Sequence, residues 1–222
     1  MVFLRLRGMK PWSKVYEATA RQSWSLEQAI LLRQRSRELA SCRESLNSII
    51  NQMNHPREIL IYGFKPYLNY AQNVTENVIQ EINDRKLGRG IVFDVEFDRN
   101  MFAKALRKHH PKLVIGLGQH PRARKIRIER RARNWQKAAH QKGSQIDKAG
   151  PEYQYVSLKL PDGEQTTVTY DAGSYVCNFS MYIMNGEAKK VGAKYAFLHV
   201  PRTADPGRTA TLIEGYINVC AP

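Results

Sequence analysis

Glu58-Ile59-Leu60-Ile61-Tyr62-Gly63-Phe64 is an apolar run ending at a glycine, and it reads as a strand buried on both faces. Working outward, residues 73–83 predict a helix that stops near Leu87-Gly88, and 91–97 predict a second strand. Asp98 then caps a helix reaching about His109, and Leu113-Val114-Ile115-Gly116 is a third, short buried strand. Through 125–134 the chain alternates, with Ile126 and Ile128 facing one way and Arg127, Glu129 and Arg131 the other. Pro161-Asp162-Gly163-Glu164 separates two strand-like runs, 153–160 and 165–170, and predicts a hairpin. A helix opening near Cys177, a strand ending near His199 and a helix over 209–219 complete the pattern. Such alternation implies an α/β three-layer sandwich: a largely parallel twisted sheet flanked by helices, with antiparallel additions.

The chain divides near His55-Pro56, into a helical extension (1–55) and an α/β domain (56–222). Within the extension Ser25-Leu26-Glu27-Gln28 is a capping box, and 26–53 holds no glycine or proline. Leu39, Cys42, Leu46, Ile49 and Met53 form an apolar seam of about two heptads, short for a coiled coil. It suits packing on the domain or on a second copy of the chain, a homo-oligomer. With 222 residues, 42% hydrophobic and 25% charged, the chain can bury one sizeable core. No apolar run approaches the length of a membrane span, and the start lacks a secretory pattern. Cys42, Cys177 and Cys220 lie far apart, which argues for a reducing, cytoplasmic compartment and against a disulfide or zinc framework. No metal or cofactor is expected.

The formal net charge of +15 is concentrated between Lys104 and Lys142, where Glu129 is the only acid. A basic stretch of this kind can contact nucleic acid or an acidic partner. No aromatic stacking platform is interleaved with it, so it reads as a solvated face with weak, non-specific nucleic-acid affinity.

Tyr170-Asp171-Ala172-Gly173-Ser174-Tyr175-Val176-Cys177-Asn178 reads as strand, glycine turn and helix start. Cys177 then falls in the first helical turn, where free N–H groups and the dipole favour a thiolate. His199 falls where a buried strand runs out, the place where open α/β sheets carry functional groups. The pair outlines a cysteine nucleophile and its base. Taken alone, the two residues fit a buried thiol and a satisfied core histidine better.

Four blocks sharpen the reading. Gly118-Gln119-His120-Pro121, then Ile126 and Glu129-Arg130-Arg131-Ala132-Arg133-Asn134, resembles the glutamate signature of pyroglutamyl peptidase I (pyrrolidone-carboxylate peptidase). Residues 171–178, with Tyr182 five past the cysteine, are similar to that family's cysteine signature, and Phe197-Leu198-His199-Val200-Pro201 to its histidine strand. Gly63-Phe64-Lys65-Pro66-Tyr67, followed by Asn73-Val74-Thr75, matches its N-terminal block. The resemblance implies a Cys177–His199–Glu129 triad that hydrolyses the amide bond after an N-terminal pyroglutamyl residue, on N-terminally pyroglutamylated peptides. It also implies a lactam slot formed by Phe64 and Tyr67, with Tyr175 and Val176 beside the nucleophile and Gln119 as a hydrogen-bonding group. Read without it, Glu129 is a surface charge and Phe64 and Tyr67 are core residues.

The chain departs from the family pattern in several places. Leu68-Asn69 replaces a glycine pair, Val74 a proline, and Ala139 an arginine for which Lys137 is a poor geometric substitute. A helix expected between the glutamate and cysteine strands is missing, and the 26–53 helix is a candidate to cover the face so exposed. These departures leave an alternative: a catalytically altered homologue that acts as a binding or regulatory protein through its basic surface.

Overall fold

A computed structural model describes residues 58–218. The extension at 1–55, its 26–53 helix, Cys42 and Cys220 lie outside the described residues. The elements are β1 (Ile59–Phe64), α1 (Val74–Asp84), β2 (Arg89–Phe93), α2 (Arg99–His109), β3 (Leu113–His120), β4 (Ile126–Glu129), β5 (Arg131–Arg133), β6 (Tyr153–Tyr155), β7 (Thr166–Thr169), α3 (Val176–Lys190), β8 (Lys194–Pro201) and α4 (Pro206–Asn218). Six strands form one sheet in the order β2-β1-β3-β8-β4-β7, and β5 and β6 form a separate pair. β2, β1, β3 and β8 run parallel; β4 is antiparallel to β8, and β7 is parallel to β4.

Every residue of β1 is buried, as expected of a strand covered on both faces. Ile59 and Ile61 face the layer that contains Val78, Ile79 and Ile82 of α1 and Ala210 and Ile213 of α4. Leu60, Tyr62 and Phe64 face the opposite layer, with Phe102 and Leu106 of α2 and Phe179 and Ile183 of α3. Burying a side chain such as Ile79 or Phe102 stabilises the fold by about 1.5–3 kcal/mol. The three-layer α/β sandwich follows from this two-sided burial. Among the described residues no helix is long and apolar enough to cross a membrane.

Three local expectations change. The second strand occupies Arg89–Phe93 rather than 91–97, because its register with β1 ends at the Phe64–Phe93 pair. β3 runs on to His120, through two glycines that read as a stop in the sequence. The hairpin does not form. Gly163 N–H does donate to Thr166 Oγ1 at 2.7 Å, so the turn is present. Yet β6 pairs with β5 and β7 pairs with β4. A turn motif specifies local chain reversal; the available strand edge decides the partner. The segment between β6 and β7 instead lies along the start of β8, where Leu158 N–H donates to Tyr195 O at 2.9 Å. Val156 is buried in one apolar layer, Leu158 and Leu160 in the other.

Candidate active site

The carboxyl ends of β1, β3 and β8 meet the start of α3. Cys177 is the second residue of α3, and the N-cap, Tyr175, supplies no side-chain acceptor to the first-turn N–H groups. Gly173, at φ 80°, turns the chain into the helix. Asn178 anchors that start: Arg133 N–H donates to its Oδ1 at 2.8 Å, and its Nδ2 donates to Arg133 O at 2.9 Å and Trp135 O at 2.7 Å. Lys137 N–H donates to Ser174 O at 2.7 Å, tying the same segment to the turn before the cysteine.

His199, on β8, lies opposite Gly118 of β3 on one side and Arg127 of β4 on the other. A Cβ at Gly118 would stand 2.6 Å from Cys177 Sγ and 3.0 Å from His199 Cδ2, so the thiol and imidazole converge over this glycine. His199 Nδ1 and Glu129 Oε1 are 2.8 Å apart. Glu129 is fully buried, not solvated beside Arg127 and Arg131. Its Oε2 is buried without a partner, which leaves the imidazole as its principal counter-charge. Burial would push His199 down, but hydrogen bonds to Cys177 and Glu129 and the charge of both outweigh it, raising His199 to about 9. The imidazolium therefore persists at neutral pH.

The aromatic residues line up above this pair. Tyr67 and Tyr175 have ring centroids 6.2 Å apart, and Tyr67 and Tyr70 5.2 Å. Burial, then the nearby Cys177, push the Tyr67 hydroxyl up to about 12, so it keeps its proton. Phe64 is buried against Tyr62 and Phe102, and Val176 is buried in the same layer; both lie beneath the site rather than on its open wall. Gln119 is buried, and its Oε1 accepts Val74 N–H at 2.9 Å. Its Nε2 has no well-formed partner, the Tyr67 hydroxyl approaching it without good geometry.

Sequence reasoning missed four neighbours. Phe97, read as the end of a strand, is a loop residue whose ring meets Tyr175 at 5.5 Å and Phe179 at 5.3 Å. His120 stands edge-on to His199 with centroids 5.3 Å apart, and burial first, then His199, push it down. Tyr62 and Tyr195 share a 2.7 Å hydroxyl contact below the cysteine, and Tyr62 also donates to Ser180 Oγ at 3.3 Å. Buried tyrosines on β1 and β8, the strands on either side of β3, were the available signal. Among the described residues, no group of three or more His, Cys, Asp or Glu side chains could hold a metal ion.

The family profile described as pyroglutamyl peptidase matches residues 57–210. The chain belongs to the pyroglutamyl peptidase family. It is 27% identical over 164 residues to a pyrrolidone-carboxylate peptidase of Saccharolobus islandicus, covering 64% of this chain and 78% of that protein. To the Halalkalibacterium halodurans pyrrolidone-carboxylate peptidase it is 29% identical over 173 residues, 66% of this chain and 85% of the other. The solved pyrrolidone carboxyl peptidase of Thermococcus litoralis shares the fold, with a TM-score of 0.64 at 23% identity over 72% of this chain and 91% of that one. Membership makes this pyroglutamyl peptidase family chain a cysteine-type omega peptidase with the family's α/β architecture.

Proposed function

We propose that Cys177 is the nucleophile, His199 the acid–base group and Glu129 the orienting carboxylate for removal of N-terminal pyroglutamate from peptides. The observation that carries this is the buried 2.8 Å contact between His199 Nδ1 and Glu129 Oε1, with the thiol on the other side of the ring. With Nδ1–H donated to Glu129, Nε2 serves Cys177. Sγ attacks the pyroglutamyl carbonyl and an S–C bond forms; His199 gives its proton to the departing amine as the C–N bond breaks. Water, losing a proton to His199, then attacks the thioester carbonyl; the C–S bond breaks, pyroglutamate leaves, and Sγ is free again with the proton back on His199. The uncapped N–H groups at the start of α3 are the natural donors to the oxyanion. Tyr67 and Tyr175 form the walls of the lactam slot, Phe64 and Val176 its base, and Gln119 offers an amide to the ring.

A cytoplasmic location fits a catalytic thiol and cysteines without a disulfide spacing. The basic stretch adds weak, salt-sensitive nucleic-acid binding at most, and the chemistry belongs to the α/β domain that begins at Pro56. A chain beginning at Pro56 is expected to keep pyroglutamyl turnover at lowered thermal stability; loss of turnover in a fully folded short chain counters this assignment. Hydrolysis of a pyroglutamyl fluorogenic amide, absent in Cys177→Ala, tests the function itself. A wild-type protein that binds pyroglutamyl peptides without cleaving them favours the regulatory alternative.

A further inference from the structure

A cavity of about 480 Å³ opens beside Gln119 and Tyr70. Its walls come from the β1–α1 loop, the start of α1 and the β8–α4 loop, and include Asn69, Tyr70, Gln72, Asn77 and Arg202. None of its lining residues is a carboxylate, and Arg202 is its one charge. The Arg202 guanidinium stands 5.8 Å over the Tyr70 ring, which directs the cation along the cavity wall. Buried Gln119, its Nε2 without a well-formed partner, lines the same space.

We propose that this cavity receives the peptide downstream of the scissile bond and selects a substrate with an acidic side chain within its first residues after pyroglutamate. The inference rests on the proposed peptidase reading and names its substrate class. Arg202 follows His199 by three residues, a reach of at most about 10 Å, so two or three residues of an extended peptide span the gap. Tyr67 and Tyr70, in ring contact, form a path from the lactam slot to the cavity. A carboxylate arriving there meets the planar guanidinium fork and the second Nε2 hydrogen of Gln119, the first being turned to the lactam; a lysine side chain can use neither partner. The nearby Asp205 is already engaged, its Oδ1 accepting Arg208 N–H at 2.7 Å.

The test compares pyroglutamyl tripeptides carrying Glu, Gln or Lys at the first or second position after pyroglutamate. Steady-state rates are measured with the wild-type, Arg202→Gln and Arg107→Gln proteins. A charge-assisted hydrogen bond gives the Glu peptide about tenfold or more in kcat/KM over its Gln counterpart, carried by KM. Arg202→Gln is expected to erase that ratio, whereas Arg107→Gln, on α2, keeps it despite removing the same charge. Equal ratios in the wild type and Arg202→Gln overturn the proposal, as does loss of preference in both variants, which would assign it to the general basic field. Binding of the same peptides to Cys177→Ser by calorimetry reads the cavity without turnover. A Glu preference in binding with no hydrolysis by the wild type keeps the subsite and rejects the peptidase reading. Turnover without preference does the reverse.

Discussion

At the residue scale, Gly118 shows how closely the site is fitted. Even one methyl group there would overlap Cys177 Sγ at 2.6 Å. Gly118→Ala is therefore expected to lower kcat on a pyroglutamyl amide by at least about tenfold through displacement of the thiol. Circular dichroism should show a folded protein; full activity would mean that Sγ moves aside freely. Glu129→Gln removes the charge that supports the imidazolium while nearly keeping its shape. It is expected to cost about 10²–10⁴-fold in kcat/KM. The sign of the pH effect follows from the raised His199. Its proton is held from below the ordinary value of 6.5 up to about 9, so the imidazolium's share of activity and of stability is lost as pH rises through about 9. The kcat/KM profile should fall on the alkaline side near that value, and Glu129→Gln should move the fall to lower pH. An unmoved alkaline limb would separate Glu129 from the titration. Leu68, where the family has glycine, adopts a φ of 51° and is exposed. Relief of that left-handed strain, less the entropy of glycine, should make Leu68→Gly stabilising by up to about 1 kcal/mol, read from urea melts.

At the scale of elements, the start of α3 depends on the Asn178 side chain, which bridges it to Arg133 and Trp135 by three hydrogen bonds. Asn178→Ala strands one N–H and two carbonyl groups, and is expected to destabilise the protein by about 2–4 kcal/mol. A change below about 0.5 kcal/mol in chemical denaturation would show that water replaces them. The helices were legible because their signals are local: Asn73 and Asp98 cap α1 and α2 with their own side chains. Strand partners were not. β6 and β7 flank a real turn yet pair elsewhere, because pairing depends on edges contributed by β4 and β5. Gly116 and Gly118 looked like strand ends because their purpose is distant: a Cβ at Gly116 would strike Tyr62 and Phe197, from other strands. Position marked the cysteine and histidine only as candidates, better read alone as a buried thiol and a core histidine, and Glu129 stood out only through the motif around it. Its alternation with Arg127 predicts exposure, and burial comes from the layer over that face, which holds its pairing partner Phe197 and Val176 and Phe179 of α3.

At the scale of the whole molecule, the sheet brings together groups separated by 48 and 22 positions in sequence, Glu129 to Cys177 and Cys177 to His199. The helices cover both faces and leave the carboxyl ends of β1, β3 and β8 open, which is where open α/β sheets take ligands. The central claim is that these three residues form one hydrolytic unit on pyroglutamyl amides. The most direct measurement is continuous fluorescence with a pyroglutamyl aminomethylcoumarin, run on the wild type, Cys177→Ala, His199→Ala, Glu129→Ala and the triple variant. A single unit predicts clear wild-type turnover and grossly non-additive losses, with Cys177→Ala or His199→Ala alone falling nearly as far as the triple variant. Wild-type turnover that survives in Cys177→Ala, or losses that simply multiply across the three positions, would contradict it.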